Sequence, residues 1–191
     1  MSLVLSEPDE ELKHIIKAVA TGDDPGLEDQ LIQKSRQEPI LQYTPKDASE
    51  RFADRETLDK WRAGGREIYW LLGDQNDLAG IIWYGKKPFP LDTDLSEKPG
   101  ETFAIRLYDG YAGHHLAVPF MRQSLRLHVA AARDRGEPVP GIWLETDIDN
   151  PAALKVYGRF GYHEVSRDDK RVTMVLPSSE IAATFKEEPS V

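Results

Sequence analysis

Asn150-Pro151-Ala152-Ala153-Leu154-Lys155-Val156-Tyr157-Gly158-Arg159-Phe160-Gly161-Tyr162 reads as one complete helix with both ends marked. Asn150 is a capping residue type, because its side-chain oxygen can accept from a backbone N–H two or three residues on. Pro151 costs nothing at the first helical position, where the missing N–H would have no helical partner. Ala153, Leu154, Tyr157 and Phe160 recur at helical spacing and make one apolar stripe, with Lys155 and Arg159 off it. Gly161 stops the helix, since glycine enters the left-handed region at no steric cost. Taken alone, the segment is a well-capped core helix with Tyr157 as a buried aromatic. The alternative is a Tyr157 hydroxyl presented to a cleft as a proton donor.

Working outward, Ile142–Thr146 is a β-rich run before this helix. Two more strands follow it, around Val165 and over Val172–Leu176. Upstream, Thr102–Tyr108 is a strand that passes through Asp109-Gly110 towards a helix over Leu116–Arg135. Pro119 fits only the first turn of that helix, and Gly136 ends it. Glu67–Leu72 and Leu78–Tyr84 are strands joined by Gly73–Asp77. Before them, Thr44-Pro45 predicts a helix start, Phe52, Leu58 and Trp61 its apolar face, and Gly64-Gly65 its stop. Lys86–Gly100, with three prolines, predicts a loop. The first forty residues are polar, with a short helix expected over Leu12–Ala20 and a loop over Thr21–Gly26. The tail after Pro177 is expected to be loosely ordered. Residues 1–40 are thus an extension of the same domain, 41–177 its body and 178–191 a tail. Strands alternating with helices in the second half predict an α/β fold with a mixed central sheet. Ligands on such sheets sit at the carboxyl ends of strands, beside helix N-termini.

Composition narrows the function. The chain has 191 residues, 40% hydrophobic and 30% charged, as a soluble globular domain has. Its net charge of -9 argues against a general nucleic-acid binder, which needs clustered Lys and Arg. With no Cys, disulfides, thiolate zinc sites and a cysteine nucleophile are all excluded. Leu3-Val4-Leu5 is too short for a secretion signal, and no run reaches the ~20 apolar residues of a membrane helix. A cytoplasmic protein without membrane contact is expected.

The stretch Ile105-Arg106-Leu107-Tyr108-Asp109-Gly110-Tyr111-Ala112-Gly113-His114-His115-Leu116-Ala117 runs from strand through a Gly-containing turn into a helix. Unpaired N–H groups at such a helix start, with the helix dipole, favour a phosphate or pyrophosphate. An ordinary strand-to-helix turn is the plainer alternative. His114-His115 could suggest a metal, but adjacent residues rarely converge on one ion and no third ligand is apparent, so no metal is expected.

Asn150 to Tyr162 resembles the sequence motif of the GCN5-related N-acetyltransferase (GNAT) family: Asn, a small residue three positions on, Tyr after another turn, then Gly before an aromatic residue. Trp143-Leu144-Glu145-Thr146 is similar to the strand that precedes that motif. Tyr111–Ala117 stands where the family has its pyrophosphate loop. The resemblance covers roughly Ile68–Leu176. It implies a GNAT fold with a splayed strand pair and transfer of an acetyl group from acetyl-CoA to an acceptor amine. It implies that backbone at Ile105 and Leu107 bonds the pantetheine arm. Ala112, Gly113, His114, His115, Leu116 and Ala117 would hold the pyrophosphate, and Asn150 would lie by the pantetheine arm. Tyr157 would protonate the leaving thiolate. Glu145 is the first candidate for the base that takes the amine's proton, with Asp147 and Asp149 behind it. For Glu145 a purely structural carboxylate is an equal alternative.

Two residues depart from the family pattern. Ala112 stands where the loop usually opens with Arg or Gln, and His115 where Gly is usual. These departures motivate a rival expectation, a catalytically degenerate GNAT-fold protein that binds CoA or another ligand as a sensor or interaction module. A structural domain whose cleft is filled by Trp70, Trp83 and Tyr84 is a third alternative. Asp92, Asp94 and Glu97 in the long loop hint at a cationic acceptor, with a solvated charged face as the plainer alternative; the acceptor is expected to be small or cationic. Homodimerisation is left open.

Overall fold

The computed structural model describes residues 2–13, 15–38, 40–92, 95 and 97–185. The chain divides into two compact units, Met1–Tyr84 with Ala104–Ser124 and Gly85–Phe103 with Leu125–Val191.

In the first unit the strands run in the order β1 (Val4–Ser6), β2 (Ile16–Thr21), β3 (Arg66–Gly73), β4 (Leu78–Lys86) and β5 (Glu101–Leu107). β5 contributes its later residues here and its first three to the second unit. β2 corrects the helix expected over Leu12–Ala20. Leu12 lies in a turn, and the chain then pairs antiparallel with β3, from Ile16↔Gly73 to Thr21↔Tyr69. Apolar residues at 12, 15, 16 and 19 suit a helix equally well locally. The ladder offered by β3 decides the outcome, because strand preference follows pairing partners.

A helix not foreseen, α1 (Pro25–Lys34), starts inside the loop expected over Thr21–Gly26. Asp24 caps it, accepting from the Leu27 N–H at 2.9 Å, and Leu27 and Leu31 are buried. The short α2 (Ile40–Tyr43) follows. The helix expected from Thr44-Pro45 takes a different form. The Thr44 hydroxyl donates back to the Ile40 carbonyl and caps nothing. Asp47–Arg51 forms a π-helical turn closed by Phe52 N–H to Asp47 O at 2.7 Å. The regular helix α3 (Arg55–Ala63) begins later, where Asp54 accepts from the Thr57 N–H at 2.8 Å. Its end at Gly64-Gly65 is as expected, with Gly65 at φ 76°. Phe52, Leu58 and Trp61 are buried, and Phe52, Trp61 and Trp83 meet edge to face with centroids 5.0–5.9 Å apart. Edge-to-face packing sets the positive ring edge against the negative ring face. Trp70, Trp83 and Tyr84 all belong to buried strand positions.

In the second unit the order is β5, β6 (Ile142–Asp147), β8 (Arg171–Leu176) and β7 (His163–Arg167). β6 and β8 pair antiparallel at six positions. β5 and β6 pair in parallel at only two, Glu101↔Ile142 and Thr102↔Trp143. Parallel and antiparallel ladders together make this a mixed sheet, as expected. α5 (Pro151–Phe160) matches the opening segment: Asn150 accepts from the Ala153 N–H at 3.1 Å and Gly161 takes φ 119°. α4 (Ala117–Asp134) also matches its expected bounds within a residue. The tail is corrected in part. Ser178–Thr184 forms a helix, α6, held by buried Ile181, while residues 186–191 lie outside the described residues.

Candidate functional site

The first unit carries the strand–loop–helix. Ile105 and Leu107 are half-buried on β5. The Ile105 carbonyl accepts from Arg106 Nη1 at 2.8 Å. After Tyr108 the chain turns through Gly110 at φ 86°, Gly113 at φ 85° and His115 at φ 59°. Three left-handed residues within six fold the loop tightly ahead of α4. Ala112, Gly113, His114 and His115 are exposed, Leu116 is buried and Ala117 is partly so.

α4 opens with Phe120 N–H bonded to Leu116 O. The N–H groups of Ala117 and Val118 therefore fall before the first helical bond, and Pro119 has none to offer. The first turn holds no acidic residue, so nothing in it competes with an anion for the helix dipole. At the loop's other end, the Tyr111 hydroxyl donates to Asp77 Oδ1 at 2.9 Å. Its partial burial and then that bond push the phenol up to about 12. A methyl group at Gly73 would overlap that hydroxyl and Asp77 Oδ1, so a larger residue there would have to displace the Tyr111–Asp77 pair.

His115 occupies the place where the resemblance calls for Gly, and it holds the backbone conformation that glycine prefers. For a Cβ-bearing residue that conformation costs roughly 1–2 kcal/mol. His115→Gly is therefore expected to raise stability by about 0.5–1 kcal/mol, some of the relief being offset by glycine's greater chain entropy. A thermal melt checks this, and a lowered melting temperature refutes it.

The second unit carries β6 and α5. Glu145 is exposed, between buried Leu144 and Thr146. Asp147 lies 3.2 Å from Arg171, and Asp149 is exposed beside the helix start. Tyr157 is buried at 8% exposure, its ring edge-on to Phe103 at 6.3 Å and to Tyr162 at 5.9 Å. Asn150 spends its side chain on the α5 cap. Within the same unit, His128 and Glu101 form a buried pair at 2.8 Å that sequence reasoning missed. An open hollow there is lined by Val129, Arg133, Pro138, Ile181 and Phe185, and it includes no expected site residue. No group of three His, Cys, Asp or Glu residues suited to a metal occurs among the described residues. None of the described helices is long and apolar enough to cross a membrane.

Of the loop acids, Asp92 pairs with Lys98 at 3.1 Å and Glu97 accepts from the Ser178 hydroxyl. Asp94 lies outside the described residues.

The fold is that of the GCN5-related N-acetyltransferases. The chain is similar to a spermidine N-acetyltransferase from Vibrio cholerae, solved in complex with CoA and spermine, at 15% identity and TM-score 0.63. That likeness covers 85% of this chain and 97% of that one. It is similar to an aminoglycoside N(6')acetyltransferase from Legionella pneumophila at 10% identity and TM-score 0.63, over 86% and 95%. A structure described as a bacterial toxin gives 15% identity and TM-score 0.62, over 91% and 98%. No family model matches the sequence. No curated protein matches it either.

Proposed function

We propose that the protein is an acetyl-CoA-dependent N-acetyltransferase acting on a primary amine. The observation that carries this is the loop from Gly110 to Ala117, with three left-handed residues leading into a helix start free of acids. Such a start suits a pyrophosphate, which backbone N–H groups and the helix dipole both favour. Two further features support the reading. The β5–β6 ladder is only two pairs long, which suits backbone at Ile105 and Leu107 bonding a pantetheine amide. The fold is shared with acetyltransferases, one of them solved with CoA.

In this reading Ala112, Gly113, His114, His115, Leu116 and Ala117 hold the pyrophosphate and Asn150 lies by the pantetheine arm. The neutral amine attacks the thioester carbonyl directly. A C–N bond forms and the C–S bond breaks. The Tyr157 hydroxyl gives its proton to the departing thiolate, and Glu145 accepts the amine's proton, directly or through water. No covalent enzyme intermediate is needed, so positioning and proton transfer supply the rate.

The test is isothermal titration with acetyl-CoA, followed by turnover on a panel of amines. Saturable binding and acetylation of at least one amine are expected, and no detectable CoA binding overturns the proposal. One observation favours a second reading, a CoA-binding module without catalysis. Ala112 is exposed and offers no side chain to a phosphate, a loss of about 1.5–3 kcal/mol relative to a charged donor. Tight CoA binding with no acetyl transfer to any amine selects that reading.

A further inference from the structure

Packing does little to shape the loop between Tyr108 and Leu116. A methyl group added at Gly110 or at Gly113 would meet nothing within 4 Å, so neighbours do not set the backbone at either glycine. Ala112, Gly113, His114 and His115 are exposed, and glycine visits many other conformations at no steric cost. A stretch with few buried contacts stays in one shape only if its ends are fixed. Towards α4 the anchor is Leu116, which is buried. Towards β5 the chain is held twice. The Tyr108 N–H donates to the Ala79 carbonyl on β4 at 3.0 Å, and the Tyr111 hydroxyl donates to Asp77 Oδ1 at 2.9 Å.

Asp77 is a firm post for the second of these bonds. It closes the β3–β4 turn, in which the Gly73 N–H donates to the Asp77 carbonyl at 2.9 Å and the Asn76 N–H to the Gly73 carbonyl at 3.0 Å. The next residue, Leu78, is buried, and its N–H donates to Gln30 Oε1 on α1 at 2.8 Å. Lys17 on β2 donates to the Asn76 side chain. The turn is thus bonded to a helix and to a neighbouring strand. A hydroxyl bonded to a carboxylate is held more strongly than one bonded to a neutral acceptor. The Tyr111 hydroxyl keeps its proton at neutral pH, because partial burial and then the Asp77 bond push its pKa up.

We propose that Tyr111 and Asp77 are positioning residues for the backbone of residues 112–115, which their bond holds in the shape a pyrophosphate needs before the ligand arrives. This deepens the acetyltransfer reading and rests on its assignment of that loop to the pyrophosphate of acetyl-CoA. Neither side chain touches the ligand. A loop already in its bound conformation loses less freedom on binding, and affinity rises by that difference. A loop released at Tyr111 is competent for only part of the time, and apparent affinity falls by that fraction. Ala112 offers a phosphate no side chain, so at that position backbone placement alone decides the contact.

The experiment makes Tyr111→Phe, Asp77→Ala, Asp77→Asn and the Tyr111→Phe, Asp77→Ala double variant in the full chain, with melting curves to show that each folds. NMR relaxation reads backbone order in the free proteins, and titration with acetyl-CoA reads binding. Order parameters at Gly113, His114 and His115 are expected near the ~0.85 of rigid backbone in wild type, and below about 0.6 in Tyr111→Phe and Asp77→Ala. Acetyl-CoA should bind about tenfold more weakly to each of these two. The double variant should bind it no more weakly than either single one, because both break the same bond. Asp77→Asn keeps an oxygen that can accept from the hydroxyl, and should recover most of the affinity lost in Asp77→Ala. Residues that merely support the fold would lower the melting temperature without moving the loop order parameters. Equal affinity in wild type and the folded variants overturns the proposal, as does a loop already mobile in wild type, or losses that add in the double variant. Failure of acetyl-CoA to bind wild type counts against the acetyltransfer reading, while a loop rigid in wild type and mobile in both single variants still upholds the tie.

Discussion

Tyr157→Phe is expected to cut acetyl turnover by about 10²-fold or more while leaving acetyl-CoA affinity within about twofold. The substitution removes one oxygen and keeps the ring. The ring makes the edge-on contacts with Phe103 and Tyr162, so the fold of the second unit should not change. In the proposed mechanism, what disappears is a proton beside a leaving thiolate. A thiol's pKa near 8.5 means that thiolate departs with modest help, so the loss should sit at the lower end of general-acid effects. Acetyl-CoA binding by titration and single-turnover rates on one amine separate the two quantities. Undiminished turnover would show that the proton comes from solvent or another residue. A parallel loss of CoA affinity would make Tyr157 a packing residue.

Legibility in the sequence followed the range of the interactions involved. α5 could be read because its cap, proline and glycine stop all act within a dozen residues. The same signal was present at Asp24-Pro25, where an acid caps a helix that opens with proline. It was masked by Gly22 and Gly26, which also read as turn residues. β2 was illegible because its apolar spacing fits two periods, and only pairing with β3, about fifty residues on, selects one. The loop from Ala112 to Ala117 was visible as a turn, but not the left-handed His115 within it, since side-chain identity argued against that conformation. The buried Asp47 carboxylate, with Arg51 Nη1 2.6 Å from Oδ1 and Arg106 Nε 2.5 Å from Oδ2, could not be seen at all. Asp47 and Arg106 are 59 positions apart, and nothing local in either segment marks them as partners.

That pair makes the second large prediction. Asp47→Asn is expected to destabilise the protein by about 3–5 kcal/mol, because it leaves Arg51 and Arg106 without their shared counter-charge. Burial alone would raise the Asp47 pKa, but the combined pull of Arg106 and Arg51 outweighs it and holds the carboxyl below the usual aspartate range. A carboxylate with a depressed folded pKa contributes stability that is fully present above the unfolded value, ~3.9. That contribution is lost as pH falls through the lower folded value. Wild type should therefore lose stability in acid along a limb that Asp47→Asn lacks at this site, so the gap between the two narrows below about pH 4. Urea unfolding at pH 7 and pH 3 reads this directly, and a gap independent of pH refutes it.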